Sequence, residues 1–268
     1  MSKASECESD QALATEFIAQ IRAAHAASPL ADPSTATLPS EPQIWDISLT
    51  YGELPASSFL QVLSLSLPYL TAAPPHSFYD FGSGQGLPPL LASVFLPSTF
   101  TSFAGTEVSP THHAAALSHR AHAAALAPAA LPGRPGAAAA LLGVQLHWED
   151  GLSPPLLPLL HSASLLYINS TAFSEALLGE VLKEAECLAR GALLVCTSQL
   201  VRSVLFELVA EAVLPSSWGQ ATVRVYRRNR MPRWAVGMTK GGSRSGRPEE
   251  GAAAAALHQS QQAGGEKS

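Results

Sequence analysis

The sequence predicts an α/β fold, in which helices cover both faces of a mostly parallel, seven-stranded sheet. Apolar runs of strand length alternate with helical stretches along the chain, as in sheets built from strand–helix–strand units. One short apolar strand ends in the glycine-rich turn Asp80-Phe-Gly-Ser-Gly-Gln-Gly86. Polar residues follow other predicted strands, at the sheet edge where ligands of parallel sheets bind.

The individual elements follow from the spacing of apolar residues and from the turn residues between them. We expect helices at 10–27, 56–67, 87–95, 110–126, 174–189 and 198–213. We expect strands at 77–81, 101–107, 144–148, 164–168 and 191–197, followed by a C-terminal pair at 221–227 and 234–238. The alanine-rich stretch 121–142 contains Pro-Gly-Arg-Pro-Gly and is expected to be a helix end followed by a surface loop.

Length and composition indicate one domain. The chain has 268 residues, of which 47% are hydrophobic, enough for a single α/β core. A short helix and a Pro/Ser-rich connection are expected over 1–43, the domain over 44–240 and a disordered tail over 241–268. No apolar run is long enough to span a bilayer, and the first residues are polar and acidic, unlike a signal peptide. We therefore expect a soluble, intracellular protein.

Net charge argues against one class of function. The formal charge of −5 disfavours nucleic-acid binding across the whole surface, because that mode needs clustered Lys and Arg. The basic run 224–233 remains as a local patch that could contact nucleic acid or acidic protein, or simply occupy the solvent face of an edge strand.

The residues that could bind a metal do not form a recognisable site. Cys7, Cys187 and Cys196 lack CxxC spacing, so we expect buried thiols and neither a disulfide framework nor a thiolate zinc site. Four histidines lie on one predicted helix without a thiolate or carboxylate beside them, and we expect them on a solvated surface: His112, His113, His119 and His122.

The glycine-rich turn is suited to a nucleoside-containing cofactor. Glycines at 82, 84 and 86 permit positive φ and let backbone N–H groups approach a ligand closely. Asp80 lies where its carboxylate can hold the turn or the ligand. The spacing is not Gly-x-Gly-x-x-Gly, which disfavours an NAD-dependent dehydrogenase. Asp80-Phe-Gly also spells a kinase triplet, but the other kinase motifs are missing.

Acidic residues end the next two predicted strands. Glu107 can accept hydrogen bonds from two ribose hydroxyls, or it can cap the helix that Pro110 opens. Asp150 can accept from the exocyclic amine of adenine, a role for which Glu149 competes. An Asp-Gly turn formed with Gly151 would explain the same residues without a ligand.

Asn169 follows the fourth predicted strand, in Tyr167-Ile-Asn-Ser-Thr-Ala-Phe173. A neutral amide can position an incoming amine without a charge, and methyl transfer mainly requires that the nucleophile be aligned with an activated methyl group. The asparagine can also simply satisfy a turn. Upstream, Tyr51 and Glu53 precede a helix and are placed to cover the pocket, although Glu53 can instead serve the N-terminus of that helix.

The ordered set of these motifs resembles a known family. It consists of Tyr-Gly-Glu before a helix, Asp-Phe-Gly-Ser-Gly-Gln-Gly, Gly-Thr-Glu, Glu-Asp-Gly-Leu-Ser, Ile-Asn-Ser-Thr-Ala-Phe and a final Trp218-Gly. Over roughly 46–228 this pattern is similar to the seven-strand histone-lysine methyltransferases of the disruptor-of-telomeric-silencing family. Ser170 and Thr171 stand where that family has a second Asn and an aromatic residue, and its lysine-rich nucleosome-binding segment is not visible here.

The resemblance implies a Rossmann-like class I methyltransferase fold and S-adenosylmethionine as cofactor. It implies that Asn169, Phe173 and Tyr51 lie at the reaction centre. The residues implied to contact the cofactor are Tyr51, Glu53, Asp80, Gly82, Ser83, Gly84, Gln85, Gly86, Glu107, Asp150, Gly151 and Asn169.

The sequence therefore favours a protein-lysine methyltransferase that acts on a histone in a nucleosome. Such an enzyme would contact nucleic acid only through the nucleosome. We expect it to be a monomer in the nucleus. Two alternatives stay open. The chain could methylate another protein or a small molecule, with a cytoplasmic location, or it could be a non-catalytic module that binds the cofactor and assembles partners.

Overall fold

The computed structural model describes residues 3–27 and 52–229, which belong to one structural unit, Met1–Met231. Several predictions lie outside these ranges: the role of Tyr51, the connection up to residue 43, the start of the domain at 44, the strand at 234–238 and the tail at 241–268. None of the described helices is long and apolar enough to cross a membrane.

One sheet contains all seven described strands, which are β1 (Ser77–Phe81), β2 (Ser102–Glu107), β3 (Gln145–Trp148), β4 (Leu165–Ile168), β5 (Leu193–Thr197), β6 (Phe206–Ser216) and β7 (Gly219–Arg228). Their order is β3-β2-β1-β4-β5-β7-β6. β7 runs antiparallel to β5 and β6, and the other neighbours are parallel. The predicted fold class, a mostly parallel seven-stranded sheet with helices on both faces, is confirmed.

The helices of the described part are α1 (Lys3–Ala26), α2 (Ala56–Ser66), α3 (Leu87–Phe95), α4 (Pro110–Ala130), α5 (Ala137–Leu142), α6 (Leu157–His161) and α7 (Glu175–Ala185). Short 3-10 turns cover Leu67–Tyr69 and Ser170–Ala172.

The strands divide their side chains between two apolar layers, because successive strand residues point to opposite faces. On β1, Phe78 packs with residues of α1 to α5, whereas Tyr79 packs with residues of α6 and α7. Leu193 and Leu194 of β5 divide in the same way. All four are at most 1% exposed. Helices therefore cover both faces, and polar groups are left for the strand ends.

The predicted helix at 198–213 is wrong, because most of its second half forms β6. Apolar residues in 205–214 are frequent enough to fit a helical period, but the valines and Phe206 also favour strands. Pairing decides between them: β6 and β7 pair from Phe206 opposite Arg228 to Ser216 opposite Gly219, with one shift of register between Leu208 and Ala210. The predicted strand at 221–227 is confirmed within β7, and its hairpin partner is β6.

The alanine-rich stretch 121–142 is more ordered than a surface loop. α4 continues to Ala130, and a further helix, α5, forms the last part of the stretch. Between them, Arg134 donates to the Val94 carbonyl at 3.2 Å and pairs with Asp10 at 2.6 Å. Its guanidinium also lies 4.4 Å from the centre of the Phe95 ring. The turn is therefore fastened to α1 and α3.

Two expectations about single side chains are also wrong. His119 is 1% exposed, although an alanine-rich helix suggested a solvated surface. It is buried because α4 packs against α1 and the glycine-rich turn, where it finds a hydrogen-bond partner. Cys196 is buried as expected, whereas Cys187 is exposed because it lies beyond the end of α7.

Helix α7 offers a test of how this fold is stabilised. Ser174 is its N-cap and accepts from Leu177 N at 3.2 Å, so Ser174→Ala is expected to cost about 0.5–2 kcal/mol. Gly179 lies in the exposed middle of the helix, and a Cβ there would meet no atom within 4 Å. Gly179→Ala is therefore expected to raise the free energy of unfolding by about 0.5–1 kcal/mol. Urea denaturation measures both free energies of unfolding. If both variants were stabilised, or both destabilised, these roles of Ser174 and Gly179 would be wrong.

Candidate active site

A cavity of about 680 Å³ lies at the carboxyl ends of the parallel strands. It brings together most of the residues predicted from sequence: Glu53, Asp80, Gly82, Ser83, Gly84, Glu107, Asp150, Gly151, Asn169 and Phe173. Gln85 and Gly86 do not line it, and Tyr51 is not among the described residues. The prediction that these residues bind a ligand stays a prediction, but their convergence on one cavity fits it.

The turn after β1 owes its shape to its glycines. Gly82, Gly84 and Gly86 have φ values of 74°, 54° and 77°, which side chains strongly disfavour. Ser83 N donates to the Thr106 carbonyl at 2.7 Å, which fastens the turn to β2. A Cβ on Gly86 would lie 2.9 Å from that of Ala116. Gly86 thus allows α3 and α4 to pack closely, while Gly82 and Gly84 form the floor of the cavity.

Glu107 ends β2 and braces the turn. Its Oε2 accepts from Gly84 N and its Oε1 from Ser109 N, both at 2.8 Å. Since each carboxylate oxygen has two lone pairs, each keeps one acceptor position for a ligand. The N-cap of α4 is Ser109, which accepts from His112 N at 3.3 Å, so Glu107 is not needed as the cap itself.

Asp80 is a buried carboxyl group that has no hydrogen-bond partner among the described residues. It is 1% exposed, and neither of its oxygens is bonded. Burial, and to a lesser extent the Glu107 carboxylate, raise the pKa of Asp80 well above its ordinary value. Leaving such a group unsatisfied costs about 1–3 kcal/mol. Because Asp80 lines the cavity, a ligand that brings a cation or N–H group would remove this cost.

Asp150 and Gly151 combine the two roles considered for them. Asp150 Oδ1 accepts from Leu152 N at 2.9 Å, so the pair does form a turn. Both residues nevertheless line the cavity, as does Glu149. A Cβ on Gly151 would lie 2.5 Å from the Phe81 ring. Glycine is therefore required there for packing.

Asn169 uses most of its hydrogen-bonding capacity within the protein. Its Nδ2 donates to the Gly52 carbonyl at 2.7 Å. Its Oδ1 accepts from Thr197 Oγ1 at 2.7 Å and from Thr171 Oγ1 at 3.3 Å. Both oxygen lone pairs are thus taken, and one N–H remains for another group. The amide has a fixed orientation at the cavity wall.

The segment before α2 closes the cavity by pairing with the β6–β7 turn. Glu53 N donates to Ser217 Oγ at 3.0 Å, and Ser217 N donates to the Glu53 carbonyl at 2.9 Å. A Cβ on Gly52 would lie 2.7 Å from the Trp218 ring. We call Gly52–Leu54 together with Ser217 and Trp218 the clasp. It forms one wall of the cavity.

Glu53 also joins the clasp to α1 through an ion pair with Arg22. Burial raises the pKa of Glu53, and the Arg22 guanidinium opposes that shift. Sequence reasoning gave Ser217, Trp218 and Thr197 no role in the site. Trp218-Gly was part of the family pattern, and that was the signal that could have drawn attention to the turn.

Gln85 connects the turn to a buried histidine. Since a carbonyl oxygen only accepts, His119 donates from Nδ1 to the Gln85 carbonyl at 3.2 Å. Burial lowers the pKa of His119 to about 4, and the nearby His25 and Arg22 add to that shift. The ring is therefore neutral at physiological pH. Its hydrogen bond to the Gln85 carbonyl stabilises the glycine-rich turn.

A pH-dependent loss of stability follows from His119. Its folded pKa is lower than its unfolded value, so the unfolded state takes up a proton first and stability falls as pH drops from about 6.5 toward about 4. The expected loss from this group is about 1–1.5 kcal/mol at about pH 5.5. Urea denaturation at about pH 7 and 5.5 should show a smaller loss for His119→Gln than for the wild type. An equal loss would contradict the assignment.

The cavity wall is acidic. Its described lining residues include no Lys or Arg but five carboxyl groups, those of Glu53, Asp80, Glu107, Glu149 and Asp150. Phe173 and Trp218 add aromatic surface. Such a wall suits a cationic or amine-bearing ligand better than a phosphate.

No family model matches the chain, and no curated protein matches it. Among solved structures it is similar to the rRNA methyltransferase aviRa from Streptomyces viridochromogenes, with 14% identity over 69% of this chain and 90% of that chain and a TM-score of 0.48. It is also similar to an RNA methyltransferase from Salinibacter ruber in complex with S-adenosyl-L-homocysteine. The identity is 15% over 65% of this chain and 91% of that chain, and the TM-score is 0.42. For the putative methyltransferase yhhF from Escherichia coli, the identity is 16% over 65% of this chain and 87% of that chain, and the TM-score is 0.43. At identities of this size, assignment of an activity rests on the geometry of the site.

Proposed function

We propose that this protein is an S-adenosylmethionine-dependent methyltransferase. The observation that carries the proposal is the buried Asp80, which has no hydrogen-bond partner within the described part of the chain and lines the same cavity as the glycine-rich turn and Glu107. Together these groups offer the turn's backbone, two free carboxylate acceptor positions and an unsatisfied carboxyl group within one site.

The residues fit the chemical parts of that cofactor. Glu107 would accept hydrogen bonds from the ribose hydroxyls, and Asp80 would accept from the amino group of the methionine part. Asp150 would accept from the adenine amine with the oxygen that Leu152 does not use. Gly82 and Gly84 line the cavity at positive φ, so no side chain stands between their backbone and the cofactor.

When bound, the cofactor supplies a methyl group activated by its attachment to a sulfonium. The protein's part is then to hold the acceptor in line with that methyl group and to exclude water. Asn169 holds the clasp in place through its hydrogen bond to the Gly52 carbonyl. The aromatic rings of Phe173 and Trp218 line the same cavity. No general base is required at the methyl group if the acceptor arrives as a neutral amine.

We further propose that the acceptor is a protein lysine, with histone lysine as the first candidate. The acidic wall supports this, because it would attract a lysine and repel phosphate. The two motifs most specific to the resembling family, Tyr-Gly-Glu and Asn-Ser-Thr-Ala-Phe, are also joined by the hydrogen bond between Asn169 and Gly52. A histone acceptor would place the protein in the nucleus.

An RNA base is the second candidate acceptor. The two aromatic rings in the lining favour it, because unpaired bases are recognised by stacking on such side chains. Against it stands the lack of Lys and Arg among the described lining residues.

Transfer of labelled methyl from S-adenosylmethionine to nucleosomes, free histones and total RNA separates these proposals. Label on histone that disappears in Glu107→Ala and Asn169→Ala would support the lysine acceptor. Label on RNA would overturn it and retain the methyltransferase. Cofactor binding in calorimetry without label on these or on cell extract would indicate a non-catalytic module, and no binding would overturn the cofactor.

Thr197 is expected to matter for turnover through Asn169. Thr197→Val removes the 2.7 Å hydrogen bond to Asn169 Oδ1, a loss of about 1 kcal/mol. We expect kcat to fall about fivefold while the Kd of the cofactor stays unchanged. Thr101→Val removes an exposed threonine hydroxyl, bonded to the His76 carbonyl at the far end of β2, and should change neither constant. A raised Kd with unchanged kcat would argue against this role.

A further inference from the structure

His161, Glu184 and Cys187 form a cluster of metal-ligating side chains away from the cavity. One potential ligand atom from each residue lies within 4.8 Å of those of the other two. His161 ends α6, Glu184 lies in the last turn of α7, and Cys187 follows that helix. Both helices lead into the amino ends of strands, so the cluster lies at the sheet edge opposite the cavity. No CxxC spacing marks it in the sequence.

The donor set is one that Zn²⁺ prefers. Imidazole nitrogen, carboxylate oxygen and thiolate sulfur bind zinc at about 2.0–2.3 Å, so the ligand atoms of a tetrahedral site lie roughly 3.3–3.8 Å apart. His161 Nε2 and Glu184 Oε2 are 2.9 Å apart and hydrogen-bonded to each other, so metal binding would replace this hydrogen bond and move the two atoms about 0.5 Å further apart. A shift of about 1 Å by the exposed Cys187 side chain would bring its sulfur into that range.

The backbone next to Cys187 is fixed in advance. The Glu186 carbonyl accepts from Arg228 Nε at 3.1 Å and Nη2 at 3.0 Å, and Arg228 is 3% exposed. Ser203 Oγ donates to Glu186 Oε1 at 2.7 Å. Cys187 N donates to the Glu184 carbonyl at 3.0 Å. The metal would therefore have to order only side chains.

Charges near the cluster act in both directions. Glu184 and a Cys187 thiolate would give the metal two negative ligands. Arg228 is close enough to Cys187 to interact with it electrostatically, and its positive charge opposes a cation. Arg228 makes its two hydrogen bonds to the Glu186 carbonyl and so does not occupy the ligands themselves.

We propose that His161, Glu184 and Cys187 bind a zinc ion, with a water molecule as fourth ligand. The ion links α6 to the end of α7 and stabilises the fold without entering the reaction. Because the thiol must lose its proton when the metal binds, affinity rises with pH. The proposal does not depend on the function assigned to the cavity.

Cobalt substitution tests it directly. Full-length protein in a Cys7→Ser background, which leaves buried Cys196 as the only other thiol, is titrated with Co²⁺. A thiolate-to-cobalt charge-transfer band that saturates at one equivalent is expected. Cys187→Ser should abolish the band, and His161→Gln should weaken Zn²⁺ competition at least about tenfold. His122→Gln, on α4, is the matched control and should change nothing.

Three outcomes would overturn the site. They are the absence of a band in the parent protein, a band that survives Cys187→Ser, and unchanged affinity in His161→Gln. Circular dichroism shows whether each variant is folded. S-adenosylmethionine binding by Cys187→Ser should equal that of its parent, so failure of the metal site and failure of the proposed function can be distinguished.

Discussion

Glu107→Ala is expected to abolish cofactor binding at concentrations that saturate the wild type. The substitution removes two charged acceptor positions for the ribose, each worth about 1.5–3 kcal/mol, so Kd should rise at least about a hundredfold. It also leaves Gly84 N and Ser109 N without their 2.8 Å partner, which loosens the turn. Isothermal calorimetry with S-adenosylmethionine measures the affinity, and urea denaturation measures the accompanying loss of stability.

Two variants sharpen this result. Glu107→Gln can still accept through one oxygen, so its Kd should lie between those of the wild type and Glu107→Ala. Glu180→Ala, at an exposed position of α7, should bind like the wild type. If Glu107→Ala binds within about threefold of the wild type, Glu107 does not contact the cofactor and braces the turn only.

Asp80→Asn is expected to weaken cofactor binding and to stabilise the ligand-free protein. Loss of a charge-assisted hydrogen bond costs about 1.5–3 kcal/mol, or about 10- to 150-fold in Kd. Without ligand, however, the wild type must keep a buried carboxyl group that none of the residues in 3–27 and 52–229 pairs with, whereas the neutral amide has no charge to desolvate. Affinity and stability should therefore change in opposite directions.

The pH dependence tests the second half of this prediction. The folded pKa of Asp80 is raised, so its contribution to stability is fully present below its unfolded pKa and is lost as pH rises through the folded value. The stability gained by Asp80→Asn over the wild type should grow with pH across that window. Urea midpoints measured from about pH 5 to 8 check this, and a gap that shrinks with rising pH would contradict it.

Much of the cavity could be predicted because its parts are encoded locally. A strand that ends in Asp80-Phe-Gly-Ser-Gly specifies its own turn through glycines at positive φ. Glu107 and Asp150 needed only the correct ends of their strands, since parallel strands bring their carboxyl ends to one edge. β1, β4 and α3 were found for the same reason: their apolar runs are bounded by clear turn residues.

The remaining features depend on distant partners. The apolar residues in 205–214 are compatible with a helix as well as with a strand. It is pairing with β7 that makes this segment a strand. His119 is buried by α1 and by the turn near Gln85, neither of which its own helix reveals. The cluster of His161, Glu184 and Cys187 likewise forms because α6 and α7 lie side by side. Sequence spacing along one segment carries no information on such contacts.

The clasp also determines when the cavity can form during synthesis. Glu53 and Ser217, which bond to each other, are 164 positions apart, and β7 is inserted between two strands that the ribosome makes earlier. Since a domain folds as a unit once its parts have emerged, a nascent chain stalled before the final hairpin lacks one wall of the cavity. Translation must therefore deliver the β6–β7 hairpin before the wall that the clasp forms can be in place.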